Sequence, residues 1–431
     1  MTKKEQQGKT LAANAKAERI RVAKTKARKL LESPRFFNEF LAVMKRAGLV
    51  GERRNALVLL VVVISRLLLR PICAFVKAVS AAGKNWLVRL VLGLMPLDQV
   101  REISSASKRA WNYANDDFRH RVIYVQEASG EADPMRLLIS EGKVIRFVTE
   151  WVNGKRTTVK YVTRGPVAAI STTTKSGLEI DDETRHVSIF IDESPEQTRR
   201  IVQAYTKRGT LASDERLVWK MVHRLLEERA DDLEIVFPDW WDQVADTVFA
   251  DAIAVRRYYP AFVEACSTVC LIRSFQLDRQ PKKGSKLEID FVDFAIAAII
   301  FERVFTQSLS RQEGSALETR QAVEALSKSM DRKPVQGGDL AKELGISLDR
   351  AYKLLREAEE AGTITRANEP ERDNRKFYLP SPRPRFVPDP EVLFQTLDGV
   401  ENEVRFVHPL TGQWITYTRK RGRKNGKKKA G

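Results

Sequence analysis

Residues 74–94 read AFVKAVSAAGKNWLVRLVLGL, in which an apolar run, a loop of small residues and a helix-like run follow one another. The loop nearly matches the phosphate-cradling pattern G-x-x-x-x-G-K-[ST], because Gly83 and Lys84 are in place. Ala78 stands where the first glycine belongs, and Asn85 stands where a hydroxyl would hold magnesium. A strand before the loop and a helix after it would let backbone N–H groups face phosphates. The candidate nucleotide ligands are Ala78, Ser80, Gly83, Lys84 and Asn85.

The composition of the 431-residue chain allows two or three domains with real cores, since 43% of its residues are hydrophobic. The formal net charge of +18 indicates a polyanionic partner, either nucleic acid or an anionic membrane. Three cysteines and four histidines form neither a disulfide framework nor a zinc-binding pattern, which favours a reducing cytoplasm.

One apolar stretch, ALVLLVVVISRLLLRPICAFV at residues 56–76, suggests a membrane segment at first sight. Arg66 and then Arg70-Pro71 interrupt it, whereas a spanning helix needs about 20 apolar residues in a row. We therefore predict a buried helix followed by a core strand, and no membrane partner. The polar, basic N-terminus lacks the apolar region of a secretion signal.

Strand-like runs then alternate with helix-like runs, among them VIYVQE at 122–127 and AAISTTT at 168–174. This alternation predicts an α/β fold with a mainly parallel sheet. Between these two runs, alternating segments flank Asn153-Gly154, the strongest short signal for a β-hairpin. The predicted organisation is a basic disordered arm (1–31), an α/β nucleotide-binding domain (32–202), a helical region (203–313), a winged helix-turn-helix (314–382) and a small segment with a basic disordered tail (383–431).

Polar residues follow the predicted core strands, where an NTPase places its catalytic groups. Glu127 could polarise the attacking water, and Gln126 stands where a metal-orienting Asp would be expected. Asn85 and Gln126 are therefore the candidate metal residues, and Thr172 or Thr173 could sense the γ-phosphate. Each of these residues taken alone also fits an ordinary strand end, so their order along the chain carries the prediction.

Basic residues at two further places could act on phosphates. Arg185 precedes another strand and could reach a neighbouring subunit's nucleotide as an arginine finger, a role that Arg199 or Arg200 could take within the same subunit. Lys155 and Arg156 lie at the tip of the predicted hairpin, where they could grip a DNA backbone or simply be solvated.

Residues 65–130 and 165–202 resemble the helicase-like ATPase module of bacterial and phage mobile-element primases, through the blocks SSAS, DDFRHRVIYVQEA and DESPEQT. Such modules are similar to AAA+ P-loop ATPases of the hairpin-bearing clade that includes superfamily 3 and minichromosome-maintenance helicases. The resemblance covers about 33–205 well and extends more loosely to near 380.

The resemblance assigns roles to particular residues. It implies Lys84 for the phosphates, Glu127 for water activation, Thr172 or Thr173 as sensor and Arg185 as finger. It also implies ATP and Mg²⁺ as cofactors and a ring of copies, hexameric in the family. Gln126 is a departure that the family tolerates, whereas Ala78 departs from the usual glycine. No zinc-finger or toprim motif is visible, so priming itself is not implied.

The segment GGDLAKELGISLDRAYKLLREAEEAGTITR, residues 337–366, predicts the two helices and first strand of a winged helix-turn-helix. Its second helix offers Arg350, Lys353 and Arg356, with Tyr352 beside them, as DNA contacts. Arg366, Arg372, Arg375 and Lys376 would lie in the wing, and the cluster from Arg419 to Lys429 would bind nucleic acid without specificity. Several glutamates on the second helix suit a protein partner equally well.

The leading hypothesis is an ATP-dependent, DNA-binding, helicase-like AAA+ protein that acts in replication of a mobile element or phage. Two alternatives stay open. One is a non-catalytic DNA-binding or regulatory protein with a decayed nucleotide site, which Ala78, Asn85 and Gln126 would favour. The other is a loader or partner subunit of a separately encoded primase.

Overall fold

The computed structural model describes residues 3–103, 117–128, 133–152, 154–175, 178, 180–207, 209–248, 255–279, 286–310, 315–331, 333–360, 364–367, 376–380 and 388–419. Its helices are α1 (Lys3–Glu32), α2 (Phe36–Arg46), α3 (Arg53–Ser65), α4 (Lys84–Leu92), α5 (Asp133–Glu141), α6 (Ile180–Glu183), α7 (Pro195–Ala204), α8 (Ser213–Ala230), α9 (Trp241–Thr247), α10 (Val255–Arg273), α11 (Phe291–Ser310), α12 (Ser315–Ser329), α13 (Gly337–Leu344), α14 (Leu348–Glu360) and α15 (Pro390–Thr396).

The strands are β1 (Ala74–Lys77), β2 (Val100–Ile103), β3 (Arg121–Val125), β4 (Lys143–Val152), β5 (Lys155–Arg164), β6 (Val167–Thr173), β7 (Val187–Phe190), β8 (Glu234–Val236), β9 (Lys286–Glu288), β10 (Val335–Gln336), β11 (Ile364–Arg366), β12 (Phe377–Pro380), β13 (Glu403–Val407) and β14 (Trp414–Thr418). The chain forms two compact units, the first made of 1–248, 256–301 and 388–431 and the second of 249–255 and 302–387.

The centre of the first unit is a five-stranded parallel sheet with the order β2-β3-β6-β1-β7. Every residue of β1 and β6 is buried, as expected for parallel strands that are covered on both faces. The predicted α/β fold with a mainly parallel sheet is therefore confirmed. Because all five strands run the same way, their carboxyl ends meet at one edge of the sheet and their amino ends at the other.

The apolar stretch at 56–76 forms helix α3 and strand β1, as the interrupting arginines predict. Ala56 to Ser65 are all buried in α3, and the helix ends before Arg66. Searched over its described residues, the structure has no helix that is long and apolar enough to cross a membrane.

The prediction of a disordered arm at 1–31 needs correction, because α1 is a continuous helix over the residues described. Ala23, Ala27 and Leu31 recur every four residues and are buried, and α1 packs along α8. Lys24 Nζ pairs with a Glu228 carboxylate oxygen at 2.7 Å. A narrow stripe of small apolar residues thus docks a helix whose other faces are highly charged.

The predicted hairpin is confirmed as β4 and β5, two antiparallel strands of ten residues each. Val152 pairs with Lys155, which leaves a two-residue turn in which Gly154 has a φ of 78°. Asn153 lies outside the described residues. The base of the hairpin belongs to the amino edge of the sheet, because β5 ends at Arg164 and β6 begins at Val167. Val144 packs there in a core cluster with Phe118 and Leu138.

The helical region predicted at 203–313 shares the first unit with the sheet, up to residue 301. Trp219 of α8 packs against Phe36 and Phe40, with ring centroids 5.6 and 5.5 Å apart. The C-terminal β13–β14 hairpin belongs to the same unit, where Phe394 and Tyr417 pack against Phe291. The domain boundary predicted near residue 202 therefore does not separate two units, because residues on both sides of it share one apolar core.

The second unit contains α12, α13 and α14 and the antiparallel sheet β10-β12-β11. Gly345 ends α13 with a φ of 62°, a left-handed conformation that glycine adopts without strain. Its core consists of eight buried side chains, Val323, Val335, Leu340, Ala351, Leu355, Ala358, Ile364 and Tyr378.

Candidate functional site

The loop between β1 and α4 lies at the carboxyl edge of the sheet. Gly83 caps α4 with a φ of 92°, and Ala81 has a φ of 64°, a costly conformation for a residue with a Cβ. Alternation of left-handed and ordinary backbone turns successive N–H groups toward a common side, which makes an anion-binding concavity. The loop thus contains two left-handed residues, Ala81 and Gly83, although Ala78 stands where the pattern has its first glycine.

Lys84 is the first residue of α4, and it is only 7% exposed. Its Nζ donates to the carbonyl oxygens of Ala78 and Val79, both at 2.9 Å. The ammonium group is thus held inside the loop, beside the N-terminus of α4. The charge of the lysine and the positive end of the helix dipole both favour an anion there.

Side-chain hydrogen bonds connect α4, β3 and β6 near Lys84. They involve Asn85, Tyr124 and Thr172. The hydroxyl of Tyr124 donates to Asn85 Oδ1 at 3.2 Å, and burial raises the pKa of this phenol, so it stays a neutral donor. Thr172 Oγ1 accepts from the backbone N–H of Glu127 at 3.2 Å. Tyr124 therefore connects Asn85 of α4 to β3, and Thr172 connects β6 to the backbone of Glu127.

Glu127 itself is exposed and has a φ of 51°. Such a conformation is uncommon for a residue with a side chain, and strained backbone of this kind clusters at functional sites. Gln126 is oriented differently from the expectation, because its Nε2 donates to Glu102 Oε1, which also pairs with Arg89 at 3.1 Å. Across the described part of the chain, no group of three or more His, Cys, Asp or Glu residues could hold a metal ion.

Thr173 and Lys77 lie side by side at the ends of β6 and β1. Thr173 Oγ1 accepts from the N–H of Lys175 at 3.2 Å, so its hydroxyl serves a turn. Lys77 forms an ion pair with Glu183, and the two side chains are only 4% and 15% exposed. This pair fixes the start of the loop, a role that the sequence analysis missed.

Glu193, which follows β7, is a second residue that sequence reasoning missed. Its Oε1 accepts from the N–H of Val79 at 2.6 Å, so a carboxylate contacts the loop backbone. The signal was present in the sequence, because Asp192 and Glu193 directly follow a core strand whose end lies at the same edge.

Arg185 lies at the opposite, amino edge of the sheet. Its Nε donates to Ser140 Oγ at 3.0 Å. It lines a cavity of about 680 Å³ together with Arg70, Arg256, Arg257 and Glu264. Burial raises the pKa of the Glu264 carboxyl to about 7. Arg185 is therefore not brought to the Lys84 loop of its own chain.

The alternative arginines, Arg199 and Arg200, follow β7 on the exposed side of α7. Arg200 approaches Asp192 at 3.9 Å, an exposed pair that contributes little stability.

One face of the β4–β5 hairpin combines aromatic and basic side chains. Phe147 and Trp151 are 69% and 70% exposed, and their cross-strand partners are Lys160 and Arg156. The Arg156 guanidinium lies 5.9 Å from the centre of the Trp151 ring. Lys155 at the turn is also exposed.

In the second unit, Arg350, Tyr352, Lys353 and Arg356 are all exposed on α14. Arg366 pairs with Glu359 at 2.7 Å, and Lys376 is exposed. Arg372 and Arg375 lie outside the described residues, as does the tail after Arg419. Arg419 itself donates to the carbonyl oxygen of Leu397 and covers Phe394, so it serves the fold.

The structure thus gathers Lys84, Asn85, Thr172, Thr173 and Glu127 at one edge and leaves Arg185 and the hairpin at the other. No protein-family model matches the chain, and a search of curated proteins found no match.

Proposed function

We propose that this protein is an ATP-dependent, DNA-binding, helicase-like AAA+ protein that acts as a ring of copies. The observation that carries the proposal is the placement of Lys84, Asn85, Thr172 and Glu127 at the same, carboxyl edge of a parallel sheet. Ligands of open α/β sheets bind outside the carboxyl ends of the strands, which is where this group lies.

The loop and Lys84 would bind the nucleotide phosphates. Lys84 Nζ would exchange its two carbonyl acceptors for phosphate oxygens, and the N-terminus of α4 would add its dipole. Asn85 Oδ1 and the Glu127 carboxylate are hard oxygen donors of the kind that Mg²⁺ prefers, and they are the residues that would hold such an ion. Bound there, Mg²⁺ would neutralise phosphate charge during transfer.

Glu127 would orient the attacking water, since it is exposed at the same edge of the sheet as the loop and its backbone is held by Thr172. Arg185 would complete the site of a neighbouring copy, because it lies at the edge opposite to its own loop. An arginine supplied in this way stabilises the charge of the transition state.

The hairpin would contact DNA. Exposed rings stack on bases regardless of sequence, and neighbouring lysines and arginines neutralise phosphates. Phe147, Trp151, Arg156 and Lys160 share one face, and Lys155 lies at the turn. The helices α13 and α14, taken as a winged helix-turn-helix, would offer Arg350, Lys353 and Arg356 as further phosphate contacts.

ATP hydrolysis by the full-length protein, measured with and without single-stranded DNA, tests this proposal. We expect DNA to stimulate the rate, and Lys84→Ala to lower it at least about 100-fold, since the loop lysine neutralises transferring phosphate. Lys45→Ala, which removes an exposed lysine from α2, is the matched control and should change nothing. Equal rates for the wild type and Lys84→Ala would refute the proposal.

One observation favours a non-catalytic alternative. The Glu193 carboxylate contacts the loop N–H of Val79, and a fixed negative charge there opposes an incoming triphosphate. A DNA-binding protein with a decayed nucleotide site would bind DNA in a salt-sensitive manner but would not bind ATP. A loader of a separate primase would hydrolyse ATP without separating strands.

A further inference from the structure

The cavity at the amino edge of the sheet, with a volume of about 680 Å³, is large enough for a whole small molecule. Sites for such ligands typically have volumes of about 300–1,000 Å³. Its wall comes from four parts of the first unit, namely the segment before β1, α5, the segment after α6 and α10. None of the described loop residues 78–85 lines it, so a ligand held here would be separate from a nucleotide at the loop.

Four arginines line this cavity, and hydroxyl groups hold two of them in place. Arg185 Nε donates to Ser140 Oγ at 3.0 Å, and Arg257 Nη1 donates to Thr184 Oγ1. A hydroxyl orients a guanidinium group but brings no negative charge to it. These two contacts therefore fix the side chains without neutralising them.

The other two arginines, Arg70 and Arg256, are exposed at the cavity. Neither side chain forms an ion pair or a hydrogen bond within the described part of the chain. The planar fork of a guanidinium matches the oxygen atoms of a phosphate or carboxylate group and binds two of them at once. Arg70 and Arg256 can therefore bind an anionic ligand without first breaking a contact.

The charge of the wall is positive even when its acidic residues are counted. Four arginines stand against two glutamates, Glu141 and Glu264. Burial raises the pKa of the Glu264 carboxyl to about 7, so much of this group is uncharged at neutral pH. The wall thus keeps an excess of at least two positive charges, which a ligand with two or more negative charges would balance.

Part of the wall is apolar. Ile72 and Pro166 lie beside strands β1 and β6, Ile139 lies on α5 and Pro260 lies on α10. Apolar side chains with a few placed polar groups are the usual design of a small-molecule site. An organic body could pack against these residues while its charged groups face the arginines.

We propose that this cavity binds a small organic molecule that carries phosphate groups, with Arg70 and Arg256 as its main anchors. A phosphate monoester has a charge of about −1.5 to −2 at pH 7 and three acceptor oxygen atoms. It therefore matches the excess charge and the many donors of the wall better than a single carboxylate does. The backbone of DNA carries the same groups, so the test needs a probe that contains no DNA.

Titration calorimetry of pyrophosphate against the full-length Lys84→Ala protein tests the proposal, because this change disables the loop as a competing phosphate site. Pyrophosphate should bind, and a further Arg256→Ala change should weaken binding at least about tenfold, since charge-assisted hydrogen bonds are lost. Arg216→Ala, which removes an exposed arginine from α8, should leave the affinity unchanged. Absence of binding, or equal affinity after Arg256→Ala, would overturn the proposal.

A second variant guards against loss of folding, because its expected effect has the opposite sign. At pH 8 the Glu264 carboxyl is mostly ionised, and Glu264→Gln removes its charge from the wall. Pyrophosphate binding should then strengthen about threefold, and unchanged or weaker binding would contradict the assignment. If pyrophosphate does not bind but Arg256→Ala lowers the affinity for single-stranded DNA, the arginines serve a DNA strand and the small-molecule assignment is wrong.

Discussion

At the carboxyl edge of the five-stranded sheet, the Lys84 loop and several hydroxyl and carboxylate groups gather within one chain, whereas at the amino edge arginines line a large cavity. At the carboxyl edge, hydrogen bonds among the loop, the strand ends and α4 hold these groups. The amino edge also carries the exposed aromatic and basic face of the β4–β5 hairpin.

Under the proposed function, the two edges of the sheet would bind different partners. In that case a polyphosphate would bind at the carboxyl edge, where the loop, Lys84 and Asn85 lie. A neighbouring copy and a DNA strand both need exposed cations, and these lie at the amino edge. The comparison predicts that substitutions at the two edges separate nucleotide binding from assembly and DNA binding.

The largest effect is expected for Arg185. We expect Arg185→Ala to lower ATP turnover about 1,000-fold, corresponding to about 4 kcal/mol, because an arginine finger stabilises transition-state charge. ATP affinity should change less than about threefold, since the residues proposed to bind ATP before the reaction lie at the carboxyl edge. Arg216→Ala, which removes an exposed arginine from α8, is the control.

Mixing two inactive variants tests whether Arg185 acts between copies. Lys84→Ala and Arg185→Ala damage opposite edges, so some interfaces of a mixed assembly would pair an intact loop with an intact arginine. We expect part of the ATPase activity to return on mixing. Failure to recover any activity would mean that the two edges do not meet across copies.

The next effect concerns the pH dependence of stability at the amino edge. Burial raises the pKa of the Glu264 carboxyl from 4.5 to about 7. As the pH rises, this carboxyl therefore ionises in the unfolded chain before it ionises in the folded chain. Stability is therefore lost between about pH 4.5 and pH 7, and the full loss, about 3 kcal/mol, persists above this window. Glu264→Gln should raise the melting temperature at pH 8 and have little effect at pH 4.5. Equal stabilisation at both pH values would contradict this assignment.

A smaller effect is expected at the hairpin. Trp151→Ala should weaken binding of single-stranded DNA about tenfold, or about 1.4 kcal/mol, since one stacked ring contributes about 1–3 kcal/mol per base. ATP affinity without DNA should not change. Fluorescence anisotropy of a labelled oligonucleotide measures this, with Trp414→Ala as a matched exposed tryptophan on β14. Equal losses of DNA affinity for both variants would show that the hairpin is not part of the DNA-binding site.

The smallest effect concerns the carboxylate that contacts the loop. Glu193→Gln removes a negative charge from the N–H of Val79, so ATP affinity should rise about threefold, less than 1 kcal/mol. Titration of ATP against both proteins measures the change. A fall in affinity would instead show that Glu193 orders the loop for its ligand.

Much of the carboxyl edge follows from sequence because parallel strands impose it. Once VIYVQE and AAISTTT are taken as strands in one parallel sheet, Glu127 and Thr172 must end at the same edge as the loop before Lys84. Asn153-Gly154 similarly fixes the hairpin, because the turn type allows few other residues.

Other features depend on contacts that no local pattern reports. The many charged residues of α1 make its apolar stripe of Ala23, Ala27 and Leu31 hard to recognise in the sequence. The stripe is buried because α1 packs along α8. The sequence places Arg185 just before a strand. It does not show that Arg185 lines a cavity with Arg256 and Arg257, which are distant in the chain.

The buried pair of Lys77 and Glu183 joins the end of β1 to the segment that precedes Arg185. Lys77 ends β1 and starts the loop, and Glu183 precedes Arg185 by two residues. With both charges largely shielded from water, a shift of the loop would draw the Arg185 segment with it rather than break the pair. In a ring of copies, a nucleotide bound or lost at one loop would thereby set when the next site can react.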